Sequence, residues 1–196
     1  MALDVQALRG NLEAIFLAMD GIMDGTGDRY MADNIAARIK EYILTGRTYT
    51  ADSGTGGYKG NGAGKMTIDS GPLADDLYRT FVAEYENDDL AAHIAADIDR
   101  ACSLPDTVEE ESVGSISSGD GPVGARYGAR GKFSGDSGII SGNLSSCFSA
   151  MNGLMDGSGN AYLASCWAAA ADSYLRQGTV TVTLDGSAGS GEGGIE

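Results

Sequence analysis

The chain has 196 residues, of which 30 are glycine, and carries a formal net charge of −15 at pH 7. A surface this acidic repels the phosphates of DNA and RNA, so direct nucleic-acid binding is not expected. Three cysteines without a CxxC spacing and a single histidine argue against a zinc site and a disulfide framework. The sequence shows neither a signal-peptide pattern nor an apolar stretch long enough for a membrane span, so we expect a soluble protein made in a reducing cytoplasm.

The chain contains internal repeats. A shift of 132 residues places 10–50 on 142–182 without a gap, and a shift of 67 places 64–81 on 131–148. The second shift makes the middle of the chain a third copy. The predicted repeat units are 1–71, 72–140 and 141–196.

Each unit begins with two predicted helices. In the first unit, apolar residues from Leu8 to Met23 recur at three- and four-residue spacing, as on one face of an amphipathic helix. A second such pattern runs from Ile35 to Ile43, and Gly46 ends it. The other two units repeat this helical hairpin, with MDGTGD, EYENDD and MDGSGN as the three turns.

A short extended segment follows each hairpin, in the order RTYTAD, DTVEEESVGSIS and TVTVTLDG. Alternating threonine and valine in the last of these is a strand pattern. Glycine-rich sequence comes next in each unit, and in the third unit it is the final GSAGSGEGGIE, which leads into no further helix. The predicted fold is therefore mainly α with short β segments: three tandem helix–loop–helix–strand units joined by glycine-rich segments and packed on each other.

The turns MDGTGD and MDGSGN look like the middle of a calcium-binding loop. With Gly27 at the sixth position of an EF-hand loop, the first position is Ile22 and the twelfth is Asp33, and in the later copy they are Leu154 and Ser165. An EF-hand needs an oxygen ligand at the first position and a glutamate at the twelfth, so both copies fail. We predict helix turns in which glycine takes positive φ and Asp or Asn caps the second helix, with no metal site. The weak candidates for metal ligands are Asp24, Asp28, Asp156 and Asn160.

Other motifs also favour structure over chemistry. GNGAGKMT has Lys59 and Met66 where a phosphate-binding loop needs glycine and Ser/Thr, so we interpret it as a linker. The acidic run 109–111 is predicted to be a solvated loop, His93 a solvent-side or packing residue, and the cysteines buried thiols. Five cations in the middle of the chain could meet acidic faces of neighbouring subunits: Lys59, Lys65, Arg126, Arg130 and Lys132.

No catalytic residue and no cofactor are predicted, because the repeated residues are mostly apolar residues, tyrosine and glycine, which serve packing and turns. The succession of short helical hairpins and glycine-rich GxGxGK-type segments resembles the small structural proteins encoded among tailed-bacteriophage virion genes. This resemblance implies a non-enzymatic component of a capsid, neck or tail, and it carries over no functional residues. The expected partners are other virion proteins or further copies of the chain, and the expected location is the virion, after synthesis in the host cytoplasm.

Two alternatives stay open at this point. The acidity and the two MDGxG turns also fit a soluble, calcium-assisted bacterial binding module. An enzyme would require a pocket in which titratable groups converge.

Overall fold

The computed structural model describes residues 3–19, 26–84, 90–116, 125–151, 159–185 and 189–196. In these ranges, two helices followed by two strands occur three times along the chain. The helices are α1 (Val5–Met19), α2 (Gly27–Thr45), α3 (Ser70–Glu84), α4 (Leu90–Cys102), α5 (Ser137–Met151) and α6 (Gly159–Gln177). The strands are β1 (Thr48–Gly54), β2 (Tyr58–Met66), β3 (Val108–Ile116), β4 (Ala125–Ser134), β5 (Thr179–Leu184) and β6 (Ser190–Ile195), and a single 3-10 turn (Thr55–Gly57) joins β1 to β2.

The prediction of a mainly α fold of three helix–loop–helix–strand units was wrong. The six strands form one closed antiparallel barrel in chain order, because β6 pairs with β1 as well as with β5. The extended segments after the hairpins are β1, β3 and β5, whereas the glycine-rich segments predicted to be linkers are β2 and β4. The final glycine-rich segment contains β6, the strand that closes the barrel. Strands from all three predicted units share this barrel, and the unit boundaries at 1–71, 72–140 and 141–196 stay predictions from the sequence.

Close strand contact explains why glycine belongs in these strands. A Cβ added at Gly64 of β2 would collide with the backbone of Glu109 on β3. A small barrel brings its inward-facing positions close together, so glycine leaves room where a larger side chain would not fit.

The six helices form a closed ring in which each helix packs on its neighbours in chain order and α6 packs on α1. In an antiparallel barrel, the starts of β1, β3 and β5 and the ends of β2, β4 and β6 lie at one rim. All helix–strand connections therefore meet at this rim, which we call the helical rim, and the opposite one is the hairpin rim. Outward residues of the strands such as Tyr49, Lys59 and Lys132 are exposed, so the ring does not cover the barrel wall.

The apolar core runs from the centre of the ring into the helical half of the barrel. Met66, Val108, Phe133 and Val180 are buried there, and the Phe133 ring packs edge-on against Tyr174 of α6 with centroids 5.3 Å apart. Each such side chain stabilises the fold by about 1.5–3 kcal/mol when fully buried. This apolar layer joins the ring and the barrel.

Hydrogen bonds also connect helices that are not neighbours in the ring. The Tyr42 hydroxyl of α2 donates to Asp172 of α6 at 2.5 Å, and the Tyr174 hydroxyl of α6 donates to Asp99 of α4 at 2.5 Å. Burial and the hydrogen bond to Asp172 raise the pKa of Tyr42. Burial, the nearby Cys102 thiol and the hydrogen bond to Asp99 raise the pKa of Tyr174. The second helices of the three pairs are thus tied together on the side of the ring that faces the barrel.

Candidate functional site

The interior of the barrel is polar over part of its length. Along β1, every second residue from Thr48 to Asp52 is buried, and on β3 both Glu110 and Ser112 are buried. Inward side chains fill the interior of a barrel this small, and charged residues are rarely found there. Together with the Tyr58 hydroxyl on β2, these residues form what we call the lumen cluster: Thr48, Thr50, Asp52, Tyr58, Glu110 and Ser112.

Hydroxyl groups satisfy one oxygen of each carboxylate in the lumen cluster. Thr50 Oγ1 donates to Glu110 Oε2 at 2.5 Å, and Ser112 Oγ donates to Asp52 Oδ2. Because the single Ser112 proton is committed to Asp52, the Tyr58 hydroxyl is the donor in its 2.9 Å bond with Ser112 Oγ. Strands β1, β2 and β3 are therefore joined by side-chain bonds inside the barrel.

The remaining oxygens of the cluster are buried without a hydrogen-bond partner: Asp52 Oδ1, Glu110 Oε1 and Thr48 Oγ1. Asp52 is 5% exposed and Glu110 is 7% exposed. Among the described residues, no lysine or arginine forms an ion pair with either carboxylate. A buried carboxylate without a compensating charge is strongly unfavourable, so this arrangement needs a physical explanation.

Both carboxylates surround one point of the barrel wall. A Cβ added at Gly62 of β2 would lie within 3.0 Å of Thr50 Oγ1, Glu110 Oε2 and Asp52 Oδ2. Glycine at this position therefore leaves the space in which the two acidic groups approach each other.

Aromatic and apolar side chains enclose the cluster at both ends. Towards the hairpin rim, the rings of Tyr58 and Tyr127 pack edge-on with centroids 4.9 Å apart. Towards the helical rim lies the apolar layer that includes Met66 and Phe133. The cluster thus sits in a low-dielectric interior, where charge interactions are stronger than in water.

The acidic run 109–111 is part of β3, so its prediction as a solvated loop was wrong. Strand alternation turns Glu110 into the lumen and leaves Glu109 and Glu111 on the outer wall. There Glu111 pairs with Arg126 at 2.8 Å, and Glu109 lies 3.9 Å from Arg130. Two of the five cations that we expected to meet neighbouring subunits therefore pair with an adjacent strand of the same chain.

The predicted metal candidates do not form this cluster. Asp24 and Asp156 lie outside the described residues, together with most of the predicted helix turns. Asp28 is in the first turn of α2, whose N-cap is Thr26 rather than an Asp or Asn, and Asn160 is near the start of α6. Within the described ranges, there is no group of three or more His, Cys, Asp and Glu side chains that could hold a metal.

Sequence reasoning missed Asp52 and Glu110, although a signal for them was present. In TYTAD the alternation that makes Thr48 and Thr50 inward-facing also makes Asp52 inward-facing. The same alternation in VEEES places Glu110 on the opposite face of the strand from Glu109 and Glu111.

The three cysteines lie on helices, and two of them are buried. Burial, strengthened by nearby Asp99, raises the pKa of Cys102 to about 12. Burial and the neighbouring Cys166 thiol raise the pKa of Cys147 to about 12. His93 is exposed on α4, as predicted for a solvent-side residue.

Among the described helices, none has the length and apolar character needed to cross a membrane. No family model matches this chain, and no curated protein or solved structure matches it either.

Proposed function

We propose that this chain is a non-enzymatic structural component of a bacteriophage virion that acts through protein–protein assembly. The observation that carries the proposal is the threefold recurrence of two helices and two strands within one closed ring and one closed barrel. A body built in this way brings three pairs of strands to the hairpin rim, β1 with β2, β3 with β4 and β5 with β6. Such an end suits a threefold position in a symmetric shell, neck or tail.

The residues that recur in the sequence also support a role in shape rather than in chemistry. Phe16, Phe81 and Phe148 stand at corresponding positions under the two sequence shifts. All three line one apolar cavity of about 130 Å³ in the helical ring, together with Trp167. What the copies share at these positions is a packing arrangement at the centre of the ring.

Two exposed apolar residues favour an assembly surface on the helical ring. Leu17 on α1 is 55% exposed, and Val82 on α3 is 57% exposed. Under the two sequence shifts, both residues correspond to Ser149. Both lie near the C-terminal end of their helix, which points away from the barrel. Large exposed apolar side chains at related positions are suited to burial against another protein, either a further copy or a different virion component.

The proposal is tested by fractionating a lysate of the cells that produce this protein. Particles are separated on a density gradient, and fractions are probed with an antibody against the chain and against a cytoplasmic host protein. We expect the chain to sediment with the particles and to stay with them in high salt, while the host protein stays at the top. A chain found only at the top would contradict the proposal and would favour the acidic binding module.

A further inference from the structure

We propose that the lumen cluster binds one divalent cation of the calcium type, which links β1 to β3 inside the barrel. The site is distinct from the sequence segments MDGTGD and MDGSGN, because it is formed by inward residues of β1, β2 and β3. Its occupant balances the charge of the barrel interior and takes part in no reaction.

Charge is the first argument for this site. Asp52 and Glu110 are each more than nine-tenths buried. The hydroxyls of Ser112 and Thr50 donate to them, but no cationic side chain of the described residues pairs with them. Two buried negative charges around one point are balanced by one doubly charged cation, which removes most of the cost of burying them.

The donor atoms are the second argument. The cluster offers one buried carboxylate oxygen with no hydrogen-bond partner at Asp52 and another at Glu110. The hydroxyl oxygens of Thr50 and Ser112 donate their protons to the carboxylates and keep lone pairs for a cation. Every donor is oxygen, which suits calcium and not zinc, and calcium accepts the irregular coordination that a barrel interior provides better than magnesium does.

A shared proton is the competing explanation, and the geometry favours the cation. Two carboxyl groups that share a proton are bridged by a hydrogen bond between them. In the described structure, the partner of Asp52 is Ser112 and the partner of Glu110 is Thr50, and no hydrogen bond joins the two carboxyl groups. Their remaining oxygens stay available for a ligand.

The test is a calcium titration of the intact chain after removal of metal with a chelator, followed by calorimetry and by thermal unfolding. We expect one calcium ion per chain and a melting temperature that rises with calcium concentration. The double variant Asp52→Asn/Glu110→Gln should weaken binding by more than about a hundredfold, since it removes both charged ligands. The control Glu109→Gln/Glu111→Gln loses the same charge from the outer face of the same strand and should bind like the parent chain.

Two further variants keep the test decisive. If the double variant does not fold, Thr50→Val removes one buried hydroxyl of the site at nearly constant size, and we expect weaker calcium binding with an unchanged circular dichroism spectrum. Asp24→Asn/Asp156→Asn should leave binding unchanged, and a loss of binding there would overturn the proposal. The absence of calcium binding by the parent chain would also overturn the proposal.

Discussion

Gly62 of β2 leaves space inside the barrel for three polar side chains. A methyl group at this position would meet Thr50, Asp52 and Glu110, all of which are buried. We predict that Gly62→Ala lowers the free energy of unfolding by about 1–3 kcal/mol, because the barrel must move to admit the added atom.

Gly142 provides the matched control for this substitution. It is an exposed residue of α5, and a Cβ added there meets nothing within 4 Å. Gly142→Ala should raise the free energy of unfolding by about 0.5–1 kcal/mol, since alanine favours the helix. Equal effects of the two substitutions in urea unfolding would contradict the packing of the lumen.

Thiol reactivity tests the surroundings of the three cysteines. Burial raises the pKa of Cys102 and of Cys147 to about 12 in each case, so at pH 8 both thiols are protonated and unreactive. Cys166 is only partly buried. We predict that iodoacetamide modifies Cys166 first in the folded protein and all three cysteines in denaturant, as measured by peptide mass spectrometry. Rapid modification of Cys102 in the folded chain would show that α4 is not packed as described.

At the scale of the elements, helices were easier to predict than strands. Leu8, Leu12 and Ile15 recur with the helical period and are buried in α1, so periodicity alone locates that helix. The glycine-rich strands β2, β4 and β6 carry no such signal, because glycine is depleted in ordinary strands and here is needed for close contact across the barrel. Asp52 and Glu110 lie on segments predicted to be extended, but only closure of the barrel shows which face of each strand turns inward.

Strand β6 is the element on which closure of the barrel depends. It pairs with β1 through the register Thr48↔Ile195 and with β5 through Val180↔Gly193. We predict that removal of residues 190–196 exposes the edges of β1 and β5, so the truncated chain aggregates or unfolds at a much lower temperature. Removal of Glu196 alone should have a small effect in the same thermal scan. A truncated chain that melts like the full one would refute the closed barrel.

The tyrosine–carboxylate bonds between helices predict a response to alkaline pH. The folded chain raises the pKa of Tyr42 and of Tyr174 above the ordinary tyrosine value. Their neutral forms therefore stabilise the fold fully below about pH 10, and this stabilisation is lost as pH rises further, because the unfolded chain ionises first. Tyr42→Phe should make the free energy of unfolding fall less steeply with pH in this range, by the amount that corresponds to one proton per chain. Urea unfolding at a series of pH values measures this slope. An unchanged slope would mean that Tyr42 titrates as it does in the unfolded chain.

At the scale of the whole molecule, the charges are distributed unevenly. The outer wall of the barrel carries cations on β2 and β4 on either side of the glutamates of β3. The described parts of the helices contain many aspartates, among them Asp33, Asp75 and Asp172. The net charge of −15 makes copies of the chain repel each other, which disfavours non-specific association. Stable assembly therefore requires a surface of complementary shape and charge.

The measurement that tests the central claim most directly is the number of copies of this chain per purified virion. Quantitative mass spectrometry of gradient-purified particles gives this number relative to the major shell protein. A structural component should be present in a fixed ratio that is the same in independent preparations and after washing in high salt. Absence of the chain, or a trace amount that varies between preparations, would contradict the assignment to the virion.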